Sequence, residues 1–257
     1  MEHLVRQKTS GLPPIAGISF GDALDRPLAD TTSIVDRLRD PGLQDIVAKD
    51  GSHGGVVRHV MSGRGPFVWV QDAASCADLG VPAPGAFDGR DLHRPLRVVV
   101  RNPREALWAV EEVVKAGLNV VGEVDGTAKA LDFTATRRLE MFAQAMDVTC
   151  VLVRIGTTDV QQTSSAKWKW AVSSHSSAAE PFDPHAPGAP RWSLELLRAR
   201  SCAPGRWIVE PEPSEDGRED HRLRVVPPLA AGNVDAGAGE TIGGSAEIIP
   251  LRGIRAA

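Results

Sequence analysis

Apolar residues between positions 43 and 155 fall into two kinds of pattern, short strand-like runs and stripes with helical spacing. The runs cover residues 43–47, 67–70, 96–100, 119–121 and 148–155. Runs without polar alternation are typical of strands that are buried on both faces, as in parallel sheets. The helical stripes lie between these runs, so the chain alternates strand and helix. This order predicts an α/β fold with a doubly wound, mostly parallel sheet.

Two of the predicted helices carry their own start signals. Asn102 is placed to cap the first helix, Pro103 suits its first position, and Glu105 completes a capping box. The second helix begins after a cap at Asp132 or Thr134. The apolar stripes that the two helices would bury are Leu107, Val110, Val113 and Val114, then Ala135, Leu139, Phe142 and Met146.

The pattern changes after residue 160. Apolar and polar residues now alternate, which favours antiparallel strands with one face toward the core. We expect three or four such strands at the edge of the sheet, and a mobile loop rich in Ser, His and Pro over 173–190. The alternating segments are 168–172, 192–196, 207–209 and 223–225.

Composition along the chain predicts three parts. An N-terminal arm over 1–41 is interrupted by Pro and Gly. A central domain covers 42–227, with the antiparallel extension occupying 166–227. A Gly- and Ala-rich tail over 228–257 is expected to be disordered, because it has too few apolar residues to form a core.

Composition and charge exclude several classes of protein. The chain has 257 residues and a formal net charge of −4, which excludes a strongly basic nucleic-acid-binding chain. Three cysteines stand far apart and seven histidines lack ligand spacing, so the sequence predicts neither a disulfide framework nor a metal site. No apolar run approaches the roughly 20 residues of a membrane helix, and the N-terminus lacks a signal-peptide core. These features predict a cytoplasmic protein without a membrane partner.

One segment has the layout of a phosphate-binding loop, a strand followed by a Gly-rich loop and a helix. The loop carries Gly51, Gly54 and Gly55, but neither Lys nor Ser/Thr follows the last glycine. Those two groups contact the β/γ phosphates and Mg²⁺ in a working loop. Asp50 also places a carboxylate where phosphate charge would lie. We therefore interpret the loop as degenerate, a structural turn with no cofactor.

Two further motifs are weaker signals for chemistry. Residues 17–21 match the G-x-S-x-G pattern of hydrolases, but the segment before them contains Pro13 and Pro14 and cannot form the strand that this motif requires. Glu123 and Asp125 follow a predicted strand, where carboxylates can hold Mg²⁺. Without a phosphate loop, we expect them to be surface carboxylates. The sequence therefore predicts no catalytic residue.

Basic residues at the ends and edges of the predicted elements are candidates for interaction. Basic groups interleaved with Trp168 and Trp170 can bind single-stranded nucleic acid. In a strand, however, the two tryptophans share one face and the neighbouring lysines the other, which favours a Trp pair in the core and lysines in solvent. The candidate interaction residues are Arg137, Arg138, Arg154, Lys167 and Lys169.

Five ordered blocks of the chain resemble the ImuA proteins. The resemblance covers roughly residues 43–226, and no single block is a catalytic signature. The blocks are RVVVRNPREALWAVEE (97–112), LDFTATRRL (131–139), VTCVLVR (148–154), PRWSLELLR (190–198) and PGRWIVE (204–210).

This resemblance implies a RecA-like fold and a place in a damage-inducible (SOS) mutagenesis cassette. It also implies a non-catalytic accessory role in error-prone translesion synthesis, with an ImuB-type inactive Y-family polymerase homologue and an error-prone C-family DNA polymerase as partners. RecA, and DNA reached through these partners, are further candidates. Two alternatives stay open, a cell-division inhibitor related to SulA and an ATPase with an unorthodox nucleotide loop.

Overall fold

The chain alternates strands and helices up to residue 155 and then continues almost entirely in strands. A computed structural model describes residues 34–82, 93–180, 182–199, 203–213 and 222–227. In the first part these are β1 Gly42–Ala48, α1 Gly54–Met61, β2 Phe67–Asp72, α2 Ala73–Leu79, β3 Leu96–Val100, α3 Pro103–Lys115, β4 Asn119–Asp125, α4 Phe133–Ala145 and β5 Thr149–Ile155. The second part has β6 Trp168–His175, β7 Ala179–Glu180, β8 Asp183–Pro187, β9 Arg191–Ala199, β10 Gly205–Pro211 and β11 Leu223–Val226.

Nine of these strands form one sheet in the order β11-β10-β9-β6-β1-β5-β4-β2-β3. The six adjacent strands β6, β1, β5, β4, β2 and β3 run parallel to one another. Strands β9, β10 and β11 are antiparallel additions at one edge. The structure thus confirms the predicted α/β class, with a mostly parallel sheet and antiparallel strands at its C-terminal end.

The prediction of antiparallel pairing holds for only one side of β6, because this strand is antiparallel to β9 but parallel to β1. Both of its faces are covered in the region of Trp168 to Val172. The alternation of Trp and Lys in β6 therefore reflects two faces that are both buried, and neither face of this segment is exposed to solvent. The antiparallel pairing begins between β6 and β9.

The sheet separates two apolar clusters. On one face, α1 packs with the short helical segment around Leu38 and with β6, β9 and β10. On the other face, α3 and α4 cover the parallel strands. Gly122 of β4 permits the close approach of α3, since a Cβ at this position would lie 2.7 Å from Cγ2 of Val110.

The predicted helix starts are confirmed with one adjustment. The Asn102 side chain accepts from the Glu105 amide at 3.0 Å, and Pro103 is the first residue of α3. Glu105 Oε2 accepts from the amide of Arg101, one residue before the position that a capping box uses. Asp132 caps α4 by accepting from the Ala135 amide at 2.7 Å.

Three expectations about the periphery need correction or lie beyond the described residues. The expected loop over 173–190 begins as the end of β6, and it then contains β7 and β8 as a separate two-stranded antiparallel sheet. Met146, which was predicted to belong to the buried stripe of α4, lies after the helix and is exposed. Residues 1–33 and 228–257, and with them most of the predicted arm and the whole tail, are outside the described residues. Within the described ranges, no helix has the length and apolar character that a membrane span requires.

A buried ion pair ties the middle of the parallel sheet to the segment that leads into β6. Arg154 of β5 donates to both carboxylate oxygens of Asp45 in β1, at 2.8 and 2.9 Å. The two side chains are 1% and 0% exposed. The remaining guanidinium nitrogen of Arg154 donates to Gln162 Oε1 at 2.8 Å. Lys169 of β6 donates to the carbonyls of Val160 and Gln162. The connection between β5 and β6 is therefore bound by two buried cations, Arg154 and Lys169.

The substitution Arg154→Met is expected to lower the free energy of unfolding by about 3–5 kcal/mol, because it leaves the Asp45 carboxylate buried without a counter-charge. Urea denaturation followed by circular dichroism measures this loss. The double variant Asp45→Leu/Arg154→Met removes both charges and should be more stable than Arg154→Met alone. A loss below about 1 kcal/mol in the single variant would contradict the assignment.

Candidate functional site

The loop between β1 and α1 is closed by one of its own carboxylates. Asp50 Oδ1 accepts from the amide and the hydroxyl of Ser52, at 3.1 and 2.5 Å. Asp50 Oδ2 accepts from the amide and the hydroxyl of Ser174 in β6, at 2.7 and 2.6 Å. Burial alone raises the pKa of Asp50, but the hydrogen bonds from Ser174 and Ser52 outweigh it and hold the pKa well below its usual range. An ionised carboxylate therefore lies in the loop and joins Ser52 of the loop to Ser174 of β6.

The glycines of this loop are explained by packing and backbone conformation. Gly51 has a φ of 75°, in the left-handed region that favours glycine. A Cβ at Gly55 would lie 2.2 Å from the indole ring of Trp192, whereas a Cβ at Gly54 would meet nothing within 4 Å. Trp192 of β9 thus lies directly against the first turn of α1. In phosphate-binding loops this turn receives the anion, and here an apolar ring lies against it.

A buried chain of hydrogen bonds lies beside the loop. His53 Nε2 is 2.7 Å from Glu123 Oε1, and Gln71 Nε2 donates to Glu123 Oε2 at 2.6 Å. Gln71 Oε1 in turn accepts from Arg97 Nε at 3.0 Å. His53, Gln71 and Glu123 are all buried and line a cavity of about 180 Å³ together with Trp69. The expectation of a surface carboxylate was therefore wrong for Glu123, because β4 points this side chain at the face covered by α1.

The second carboxylate of the predicted pair has a structural role in a turn. Asp125 Oδ1 accepts from the amide and the hydroxyl of Thr127, at 2.8 and 2.7 Å. The amide of Asp125 donates to Asp72 Oδ2 at 2.8 Å. Across the described ranges, no group of three or more His, Cys, Asp or Glu side chains is arranged to hold a metal ion. The arrangement offers hydrogen bonds that fix the ends of β2 and β4.

The structure separates the five basic candidates into exposed and buried groups. Arg137 and Arg138 are exposed on α4. Lys167 is partly exposed, with its Nζ 5.5 Å from the centre of the Trp168 ring. Arg154 and Lys169 are buried in the ion-pair and carbonyl contacts described above, so the expectation that they face a partner was wrong. The five residues do not form one surface.

The predicted core role of the two β6 tryptophans is confirmed. Trp168 and Trp170 are buried and stacked, with ring centres 6.0 Å apart and planes inclined by 17°. Trp170 Nε1 donates to Gln44 Oε1 at 2.9 Å. The complementary expectation, that Lys169 is solvated, fails because the β5–β6 connection covers it.

The sequence pattern did not predict the positions of two tryptophans, one packed against α1 and one exposed. Trp192 was recognised only as part of an alternating strand, and nothing local indicated that it would reach α1. Trp108 lies on α3 outside the apolar stripe of Leu107, Val110 and Val114, and it is exposed. That off-stripe position was a usable signal, since a helical residue next to the buried stripe faces solvent or a partner.

The substitution Gly55→Ala is expected to lower the free energy of unfolding by about 1–3 kcal/mol, because the added methyl displaces the Trp192 ring. Thermal or urea unfolding measures the change. Gly54→Ala is the matched control, since its Cβ meets open space and should leave stability equal or slightly higher. Adding Trp192→Ala to Gly55→Ala should cost less than Trp192→Ala in the unmodified protein. Equal effects of Gly54→Ala and Gly55→Ala would contradict the packing assignment.

The ionisation of Asp50 is expected to make a pH-dependent contribution to stability. Because the pKa of Asp50 is lowered by folding, the contribution is complete above the unfolded pKa of about 4 and is lost as the pH falls through the folded value. Carboxyl ¹³C shifts should show Asp50 still ionised at about pH 3. Ser174→Ala removes a donor and should raise the pKa, whereas Ser176→Ala should not. Titration of Asp50 near its usual value in the unmodified protein would overturn the assignment.

Comparison with known proteins relates the chain to two curated sequences. Both are named Protein ImuA and come from Caulobacter vibrioides, one from strain NA1000 / CB15N and the other from strain ATCC 19089 / CIP 103742 / CB 15. Each is 32% identical to this chain over 181 residues, which is 67% of this chain and 70% of the relative. No protein-family model matches the sequence. The identity and its coverage of both chains show that this protein belongs to the ImuA family.

Proposed function

We propose that this protein is a non-catalytic accessory factor of SOS-induced, error-prone translesion DNA synthesis. Membership in the ImuA family gives it a role in damage-inducible mutagenesis. The proposal adds that the chain acts by docking in the cytoplasm with an ImuB-type inactive Y-family polymerase homologue and an error-prone C-family DNA polymerase. RecA is a further candidate partner, and DNA is reached through the partners.

The proposal rests on the side chains that lie at the β1–α1 loop, where a phosphate-binding loop would hold its anion. Asp50 accepts from Ser52 in the loop and from Ser174 in β6, and the Trp192 ring lies against the first turn of α1. Glu123 is already bound by His53 and Gln71. A nucleotide would have to displace all three arrangements, and the chain has no loop Lys or Ser/Thr with which to hold it.

Charge strengthens this argument against nucleotide chemistry. The transferred phosphoryl group needs cations and Mg²⁺ around its oxygens, since catalysis of this reaction is mainly electrostatic. Here the loop presents an ionised carboxylate, and Lys49, the basic residue that precedes it, bonds to Glu195 Oε2 at 3.0 Å. The loop would therefore repel the phosphate oxygens that phosphoryl transfer needs to stabilise, which favours an accessory role.

A direct binding measurement tests the docking part of the proposal. The purified full chain is expected to form a stable complex with the ImuB-type protein or the C-family polymerase of the same organism, as measured by size-exclusion chromatography and calorimetry. A complex with neither protein, singly or together, would sink the proposal.

A nucleotide-binding measurement tests the non-catalytic part and separates it from the ATPase alternative. Equilibrium dialysis with labelled ATP and Mg²⁺ is expected to show no saturable binding up to millimolar ATP, the concentration range in which typical ATPases become saturated. Tight, Mg²⁺-dependent binding, or a crystal in which residues 48–57 grip an ordered triphosphate, would contradict this part.

A further inference from the structure

Helices α3 and α4 lie side by side on the outside of the sheet. Arg138 Nε of α4 is 3.0 Å from Glu111 Oε2 of α3, and one turn further along Lys115 Nζ lies 4.9 Å from the centre of the Phe142 ring. Both helices cross back over a parallel sheet, so they run in the same direction. The side chains that point away from the sheet on the two helices therefore form one continuous surface.

This surface exposes a large aromatic side chain. Trp108 of α3 is 65% exposed, whereas the other five tryptophans of the chain are buried or half-buried. Met141, on the outward side of α4, is 59% exposed. We call the outward residues Arg104, Trp108, Arg137, Arg138 and Met141 the α3–α4 face. A largely exposed indole is typical of an interaction site, because a partner that covers it removes a large apolar area from water.

The α3–α4 face is basic although the protein as a whole is acidic. Arg104 and Arg137 make no ion pair or side-chain hydrogen bond anywhere in the described ranges, and Arg138 shares Glu111 with Lys115. The cations of the two helices are Arg104, Lys115, Arg137 and Arg138, and the exposed or half-buried carboxylates are Glu105, Glu111 and Glu112. Each of these carboxylates is in an ion pair, which leaves the two unpaired arginines as the excess positive charge. On a chain of net charge −4, this local excess of positive charge indicates a partner segment of negative charge.

We infer that the α3–α4 face is the docking surface for an acidic segment of a protein partner, with Trp108 as its central anchor. The inference rests on the proposed function and names the surface that the function uses. Trp and Arg are the residue types that dominate binding energy in protein interfaces. The unpaired guanidinium groups of Arg104 and Arg137 can take carboxylates in bidentate pairs. The exposed apolar side chains of Trp108 and Met141 favour a protein segment over a phosphate backbone, because the backbone of a nucleic acid offers no apolar surface to cover them.

The test compares variants of the face in the full chain. Trp108→Ala is expected to weaken binding to the ImuB-type protein or the C-family polymerase by about 30-fold or more. Arg104→Glu/Arg137→Glu should weaken it at low salt and flatten its salt dependence. Phe182→Ala is the matched control and should bind as the unmodified chain does, since it alters a 95% exposed apolar side chain near β8.

Tryptophan emission gives a second readout that a purely structural role would not move. The difference between the unmodified chain and Trp108→Phe reports the surroundings of Trp108, and this difference spectrum should shift to the blue when the partner binds. Circular dichroism and urea unfolding establish that each variant folds, as expected for exposed positions.

The outcomes separate the inference from the function on which it rests. If the unmodified chain binds neither polymerase, the proposed function fails and the inference fails with it. If the unmodified chain binds and both face variants bind equally well, only the inference is overturned. If the face variants lose binding to a single-stranded oligonucleotide but keep their polymerase affinity, the face belongs to nucleic acid and the inference is overturned. Selective loss of polymerase binding in the face variants supports it.

Discussion

The bidentate pair between Asp45 and Arg154 is the interaction on which the rest of this structure depends. It lies in the centre of the sheet, and Arg154 also holds the connection that leads from β5 to β6. Lys169 and Arg198 bind carbonyls of the same connection, at Val160 and Ala166 respectively. These contacts set where β6 enters the sheet beside β1. The position of β6 then fixes β9, because the two strands pair over most of their length.

The contacts around the β1–α1 loop are a consequence of that placement. Once β9 lies next to β6, Trp192 reaches the first turn of α1, and Ser174 of β6 reaches the Asp50 carboxylate. Strands β6 and β9 thus contact the β1–α1 loop from a part of the chain more than a hundred residues away. On the other side, Glu123 and His53 satisfy one another in the cavity. A loop with the layout of a phosphate-binding loop is thus packed and hydrogen-bonded by side chains of the protein itself.

The charged groups of this protein divide into two populations with different roles. Buried cations such as Arg154 and Lys169 bind Asp45 and backbone carbonyls respectively. Burial also lowers the pKa of Lys169. Exposed cations such as Arg104 and Arg137 have no such partner in the described ranges. Within the described ranges only the second population has charge without a partner, which is why we propose the α3–α4 face, and not the Trp-rich β6 region, as the docking surface.

The sequence by itself determined the features that depend on near neighbours. Strand runs, the caps at Asn102 and Asp132 and the missing loop Lys are readable because periodicity and capping act over three or four residues. The tertiary structure decided the rest. Asp45 and Arg154 meet across 109 positions, and His53 and Glu123 across 70, so no local pattern records whether these charged groups are buried. The direction of β6 and the contact of Trp192 with Gly55 likewise follow from which strands become neighbours, which only the packing of the whole sheet determines.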